Sequence, residues 1–289
     1  MQLSPEMVAA LEVLPGCSIS TVAVPLDYPP SRDMRVRWGG ERTIPGLAAW
    51  VAAEADGYRS FLGTMRSYAA DMAAIPLLWG PERDKAAWLE TALSPFDAAA
   101  LYAMIRSCQP ARYVEVGSGV STLFARRAIS DGDLTTTVYS IDPAPRATVE
   151  AACDVTVRTS LEEADLTVFD TLEPGDALFI DGSHRAFMNS DVTVFFLEVL
   201  PRIRPGVLIH VHDVSLPWDY PPEYVDWYWN EQYMLATWIQ AAPDRVKPLF
   251  PAFYLCHMPE FADEMTQPFA AHWPEGSWRG GGSFWFTKR

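Results

Sequence analysis

The spacing of apolar positions changes near residue 95. Before it, apolar side chains recur at helical intervals over residues 5–14, 46–68 and 82–93, separated by proline-rich turns such as Leu26-Asp27-Tyr28-Pro29-Pro30. Ser94-Pro95-Phe96-Asp97 then reads as a helix start: serine as N-cap, proline at the first helical position, an acid in the first turn. The helix it opens carries Leu101, Met104, Ile105 and Cys108 and runs to about residue 108. Beyond it the pattern turns regular. Short β-branched or aromatic runs at 112–116, 136–141, 154–158, 177–180 and 207–211 predict strands, and helical spacing fills 121–130, 145–153 and 185–201. Continuous apolar runs suit strands buried on both faces. Their alternation with helices predicts an α/β fold, a doubly wound parallel sheet. The expected division places a mostly helical N-terminal cap, for substrate or oligomer contacts, at 1–94 and the sheet domain at 95–289.

Composition narrows the class without changing the fold. With 289 residues, 49% apolar and 20% charged, the chain is neither disordered nor fibrous. The net charge of −15 disfavours nucleic acid and anionic membranes as partners. The four cysteines, Cys17, Cys108, Cys153 and Cys256, show no CxxC spacing, which disfavours a disulfide framework or a cysteine zinc site. The start, Met1-Gln2-Leu3-Ser4, lacks the basic and apolar regions of a signal peptide, and no apolar run reaches 18 residues. A cytoplasmic protein acting on a small molecule is the expectation, and nothing opposes a homo-oligomer.

Two motifs carry the first chemistry. Glu115-Val116-Gly117-Ser118-Gly119-Val120-Ser121 joins a strand end to a helix start, where glycines permit a sharp turn and free amides meet a ligand. The third glycine of a dinucleotide fingerprint is replaced by Thr122, and Glu115 would oppose a pyrophosphate. Asp142 ends the second strand, beside that turn, where a carboxylate can hold a ribose diol. Together they suggest a nucleoside ligand bearing positive charge.

With Phe179-Ile180-Asp181-Gly182-Ser183-His184, Arg204-Pro205-Gly206 and His212-Asp213 added, the ordered set resembles the class I S-adenosylmethionine-dependent methyltransferases. The likeness is to their small-molecule branch with Ile-Asp-Gly-Ser-His and His-Asp motifs, similar to metal-assisted sugar and antibiotic O-methyltransferases. Tyr228-Trp229-Asn230-Glu231-Gln232-Tyr233 and Gly282-Ser283-Phe284-Trp285-Phe286 extend it, so that it covers about residues 95–289. The resemblance implies a Rossmann-like seven-stranded sheet whose last strand, near 283–287, runs antiparallel. It implies S-adenosylmethionine contacts from Glu115, Gly117, Ser118, Gly119, Ser121, Asp142, Ser160 and Asp181. It also implies an acid after strand four and an acidic pair after strand five for a divalent cation, Mg²⁺ or Mn²⁺. Asp181, His212 and Asp213 occupy those places, and the histidine makes Mn²⁺ or Fe²⁺ as suitable as Mg²⁺.

Methyl transfer to a hydroxyl needs a proton acceptor, and His184, oriented by Asp213, is the expected base. His210 lies inside an apolar run and reads as a core histidine. Seven of the eleven tryptophans follow residue 216, and those from Trp218 to Trp238 are interleaved with prolines and tyrosines. This reads either as an aromatic lid over the acceptor, with Trp218, Tyr220, Glu231 and Gln232 as contacts, or as packing against another surface. Two rival functions remain: a metal-dependent hydrolase using the Asp/His cluster, and a non-catalytic S-adenosylmethionine-binding protein.

Overall fold

The computed structural model describes residues 35–89, 92–145, 147–266 and 280–289. Residues 36–289 form one compact unit, and the expected boundary at 94/95 falls inside it. The expected helix at 5–14 lies outside the described residues, as do Trp273 and Trp278.

Seven strands form one sheet in the order β3-β2-β1-β4-β5-β7-β6. They are β1 (Arg112–Val116), β2 (Thr137–Ile141), β3 (Val155–Val157), β4 (Ala177–Ile180), β5 (Leu208–Val211), β6 (Val246–Pro251) and β7 (Phe284–Lys288). The first five pair in parallel, and β7 runs antiparallel between β5 and β6. This is a Rossmann-like, doubly wound sheet with the expected reversed last strand. β6, which the predicted strands do not include, carries Pro248 and Pro251. Proline is tolerated there because β6 is an edge strand and its register shifts at Pro248/Phe250.

The helix start at Ser94 forms as expected. Its hydroxyl accepts from the Asp97 amide, and the helix runs Pro95–Cys108. Several other helical expectations are corrected. The 46–68 stretch divides at Glu54, whose backbone leaves the helical region, into Leu47–Ala52 and Ala55–Ser67. Residues 82–89 form turns that bond back to Pro76 and Leu77 through the amides of Trp88 and Leu89. The 145–153 stretch keeps only a 3₁₀ turn at Glu150–Ala152, because the Asp142 side chain takes the Ala144 amide and closes a local turn instead. The helix expected from 185 begins at Asp191, capped by Ser190, and widens into a π turn at Phe195–Val199 ahead of Pro201, whose ring would crowd a regular helix.

Alternation along the strands sorts side chains onto two faces. Val114, Val116, Leu178, Ile180, Ile209 and Val211 join one apolar core with the 192–203 segment and Leu235 to Ile239. Tyr113, Phe179, Trp285 and Phe250 join the other, under the Pro95–Cys108 and Val120–Asp131 helices. Pairing registers place Ser140, Glu115, Phe179, His210 and Trp285 in one row across this second face. Three buried polar side chains, Ser140, Glu115 and His210, therefore share one row with Phe179 and Trp285.

Candidate functional site

Gly117 makes the first turn possible. Its φ of 81° is open to glycine, and a Cβ there would lie 1.7 Å from the Asp181 carbonyl oxygen. The turn after β1 thus packs directly on the end of β4. Asp142 accepts the Ser118 amide at 2.6 Å and the Ala144 amide at 2.7 Å. Ser118 and Ser140 share a hydrogen bond of 2.7 Å. Glu115 is fully buried, which pushes its carboxyl up to about 7 against the hydroxyls of Ser121, Thr122 and Tyr113. Gly119 caps the Val120–Asp131 helix, and its amide donates to Thr122 Oγ1. Ser160, after β3, precedes the 3₁₀ turn Leu161–Glu163. Nearby, the Arg158 guanidinium donates to Ser140 Oγ at 3.1 Å, a contact with no signal in the sequence.

The second half gathers charge. Asp181, His184, His212 and Asp213 come together across the ends of β4 and β5, as their spacing predicts. His184 Nε2 lies 3.3 Å from both Asp181 Oδ1 and Asp213 Oδ2, and its Nδ1 lies 3.0 Å from Glu231 Oε2. Burial alone would strip the proton from this ring, but Asp181 and Glu231 outweigh it and raise its pKa to about 10. A base must be neutral before it can act. Three carboxylates, Asp181, Asp213 and Glu231, surround the ring and favour its protonated form.

His212 Nδ1 lies 3.4 Å from Asp213 Oδ2 and 3.6 Å from Asp181 Oδ1, and its Nε2 lies 3.5 Å from Asp97 Oδ2. Both ring nitrogens are buried without a hydrogen-bond partner, as are Glu231 Oε1 and His210 Nδ1. Despite burial, the carboxylates of Asp213 and Asp181 hold the His212 pKa well above its ordinary value. Asp181 moves the other way: burial opposes ionisation, but His212 and His184 lower its pKa. His210 matches the core reading, since burial drives its pKa well down, Nε2 meets Ser283 Oγ at 2.9 Å, and the ring stacks on Phe179.

The donor atoms of Asp181, His212 and Asp213 lie within 4.8 Å of one another. Two carboxylate oxygens and an imidazole nitrogen with no other partner suit a divalent cation of the Mn²⁺ or Fe²⁺ type. The residues therefore fit such an ion.

The aromatic segment divides. Trp229 lies 4.3 Å from the His184 ring and continues outward to Trp227 and Tyr224. Tyr220 is buried against Trp229, and its hydroxyl accepts the Gln232 amide. Trp218 instead donates to the Gly40 carbonyl and stacks on Tyr254. Gln232 is fully buried, taking the Ser215 amide and donating to the Trp218 carbonyl. Those two side chains pin loops together. Glu231 is the partner of His184.

Asp97 was legible only as the acid in the first turn of a helix capped by Ser94. It is 1% exposed, accepts the amides of Gly282 and Ser283 at 2.9 Å each, and faces His212. The one signal in the sequence was an acid inside a helix stretch otherwise buried on every side, since such a group requires a partner.

Residues 114–214 match a family model described as a methyltransferase domain. No curated protein sequence gives a match. Among solved structures, the chain resembles cofactor-bound Rv0187 from MTB at 16% identity, over 65% of this chain and 80% of that one, with a TM-score of 0.39. It also resembles the SAH-bound Podospora anserina methyltransferase PaMTH1, at 15% identity over 68% and 89% of the two chains, TM-score 0.38. A third likeness is to the plantazolicin methyltransferase BpumL in complex with SAH, at 14% identity over 65% and 85%, TM-score 0.37.

Proposed function

We propose that this chain transfers a methyl group from S-adenosylmethionine to a small-molecule acceptor, a hydroxyl of a sugar or specialised metabolite. One observation carries the reading. Glu115, Asp142, Asp181 and Asp213 stand at the ends of four adjacent strands, and the glycine turn after β1 packs on the carbonyl after β4 at Gly117–Asp181. That edge offers a carboxylate for a ribose, bare backbone for close approach, and negative charge for a sulfonium.

When bound, S-adenosylmethionine supplies an electrophilic methyl carbon, and the acceptor oxygen bonds to it as the carbon–sulfur pair returns to sulfur. Asp142 orients the nucleoside and the Gly117 turn admits it. Glu115 fixes the turn through Thr122, while Asp181 would offer its carboxylate to a sulfonium. The hydroxyl proton must leave, and His184 is the residue proposed to take it. It can do so once the charge of Asp181 and Asp213 is taken up, because those two carboxylates help hold its resting proton. Asp181, His212 and Asp213 would hold a divalent cation, which lowers the pKa of a nearby hydroxyl. Trp229 and Trp227 would line the path of the acceptor and exclude water from the transfer.

The test is calorimetric titration of S-adenosylhomocysteine into the full chain, with and without chelator. Binding at about micromolar affinity, near −8 kcal/mol, weakened about 10–100-fold by Asp142→Ala through loss of charge-assisted hydrogen bonding, is the expected result. Absence of binding in both arms would remove the methyltransferase reading and favour the hydrolase.

A further inference from the structure

The terminal glycines and the buried acid of the Pro95–Cys108 helix are left unexplained by methyl transfer itself. Asp97 is built into the structure from three directions. The Ser94 hydroxyl donates to its Oδ2 at 2.8 Å, the Gly282 amide to the same oxygen at 2.9 Å, and the Ser283 amide to Oδ1 at 2.9 Å. The helix N-terminus adds its own positive end. The approach depends on bare backbone. A Cβ at Gly281 would lie 2.9 Å from Asp97 Oδ1, and one at Gly282 would lie 2.9 Å from the Asp213 Cα. Two glycines thus let one strand lead-in pass between Asp97 and Asp213.

A helix cap needs none of this. Capping carboxylates work at the surface, where they cost little to desolvate, whereas Asp97 is 1% exposed. What the burial achieves is contact with His212, whose Nε2 lies 3.5 Å from Asp97 Oδ2. Neither ring nitrogen has a hydrogen-bond partner, and the opposite one, Nδ1, faces Asp213 and Asp181 at 3.4 and 3.6 Å. We infer that Asp97 is a positioning residue: its carboxylate behind Nε2 favours the Nε2–H tautomer of His212 once a divalent cation takes Nδ1 beside the Asp181 and Asp213 carboxylates. The inference rests on the cation reading proposed above. A carboxylate behind a ligating histidine fixes both ring orientation and donor strength, and its loss weakens metal affinity about 10–100-fold.

The experiment titrates Mn²⁺ alone into the full chain, freed of metal by chelator, with free Mn²⁺ read by electron paramagnetic resonance. Asp97→Asn should bind Mn²⁺ about 10–100-fold more weakly than the wild type while keeping its S-adenosylhomocysteine affinity. Wild-type Mn²⁺ affinity in that variant would overturn the inference. Because the introduced carboxamide would face two amides with one acceptor oxygen, the variant can lose its fold, so a second measurement uses the unmodified sequence. Histidine labelled with ¹⁵N and loaded with ¹¹³Cd²⁺ should show metal coupling at Nδ1 of His212 and a proton on Nε2, assigned with His212→Gln. Coupling at Nε2 would overturn the inference. A wild type that binds S-adenosylhomocysteine but neither metal would overturn it as well, while leaving methyl transfer intact.

Discussion

At the β1–β2 end of the sheet's carboxyl edge, the buried polar side chains have found partners: Glu115 is met by the hydroxyls of Tyr113, Ser121 and Thr122, and beside it Asp142 holds two amides. At the β4–β5 end, His212 keeps two buried ring nitrogens and Glu231 one buried oxygen with no partner. Satisfied polar groups rigidify a site, while unsatisfied buried ones raise its free energy until something binds. The first half is satisfied from within. The second is a charged frame whose stability depends on protonation, and on whatever neutralises it.

The largest expected effect tests whether His184 belongs to the chemistry of the second half alone. His184→Ala should lower kcat about 10²–10⁴-fold, the usual worth of a proton-transfer group, and change S-adenosylhomocysteine affinity by less than about threefold. Comparable losses in both would merge the two halves into one site. Next, Gly117→Ala should break the seam between them. A Cβ driven against the Asp181 carbonyl, in a left-handed backbone, costs about 3 kcal/mol. Calorimetry should record a fall of about 100-fold in S-adenosylhomocysteine affinity.

A smaller effect follows from the His184–Glu231 pair. The His184 pKa rises from 6.5 to about 10 in the folded state, so its proton stabilises the fold fully below 6.5 and ceases to do so as pH passes 10. Glu231→Gln should therefore cost about 1–3 kcal/mol at pH 7 and progressively less toward pH 10, in thermal melts with chelator present. A penalty independent of pH would mean that Glu231 serves packing only.

The parallel strands, the glycine turn and the Asp/His cluster were legible because each is written locally: apolar runs, a turn residue, acids just past strand ends. The features missed depend on distance in sequence. β6 is masked by prolines that only an edge position and a bulge excuse. Asp97 and His212 lie 115 positions apart, and nothing local tells a capping acid from one that also faces a histidine. The charge of His184 was hidden for a related reason. Its motif reveals a histidine near carboxylates, but its charge depends on how many of them converge, and Glu231 arrives from another helix. Trp218 and Gln232 admitted both a lid and a packing reading because composition cannot tell a ring facing a cavity from one stacked on Tyr254.

The insertion of β7 between β5 and β6 bears on how the molecule is made. β6 bonds to the sheet only through β7, so on the ribosome it must wait, unpaired, for a strand translated more than thirty residues later. The same late segment carries Gly282 and Ser283, whose amides hold Asp97. The β1–β2 half can thus assemble early and yet lack the support beneath His212 until β7 docks.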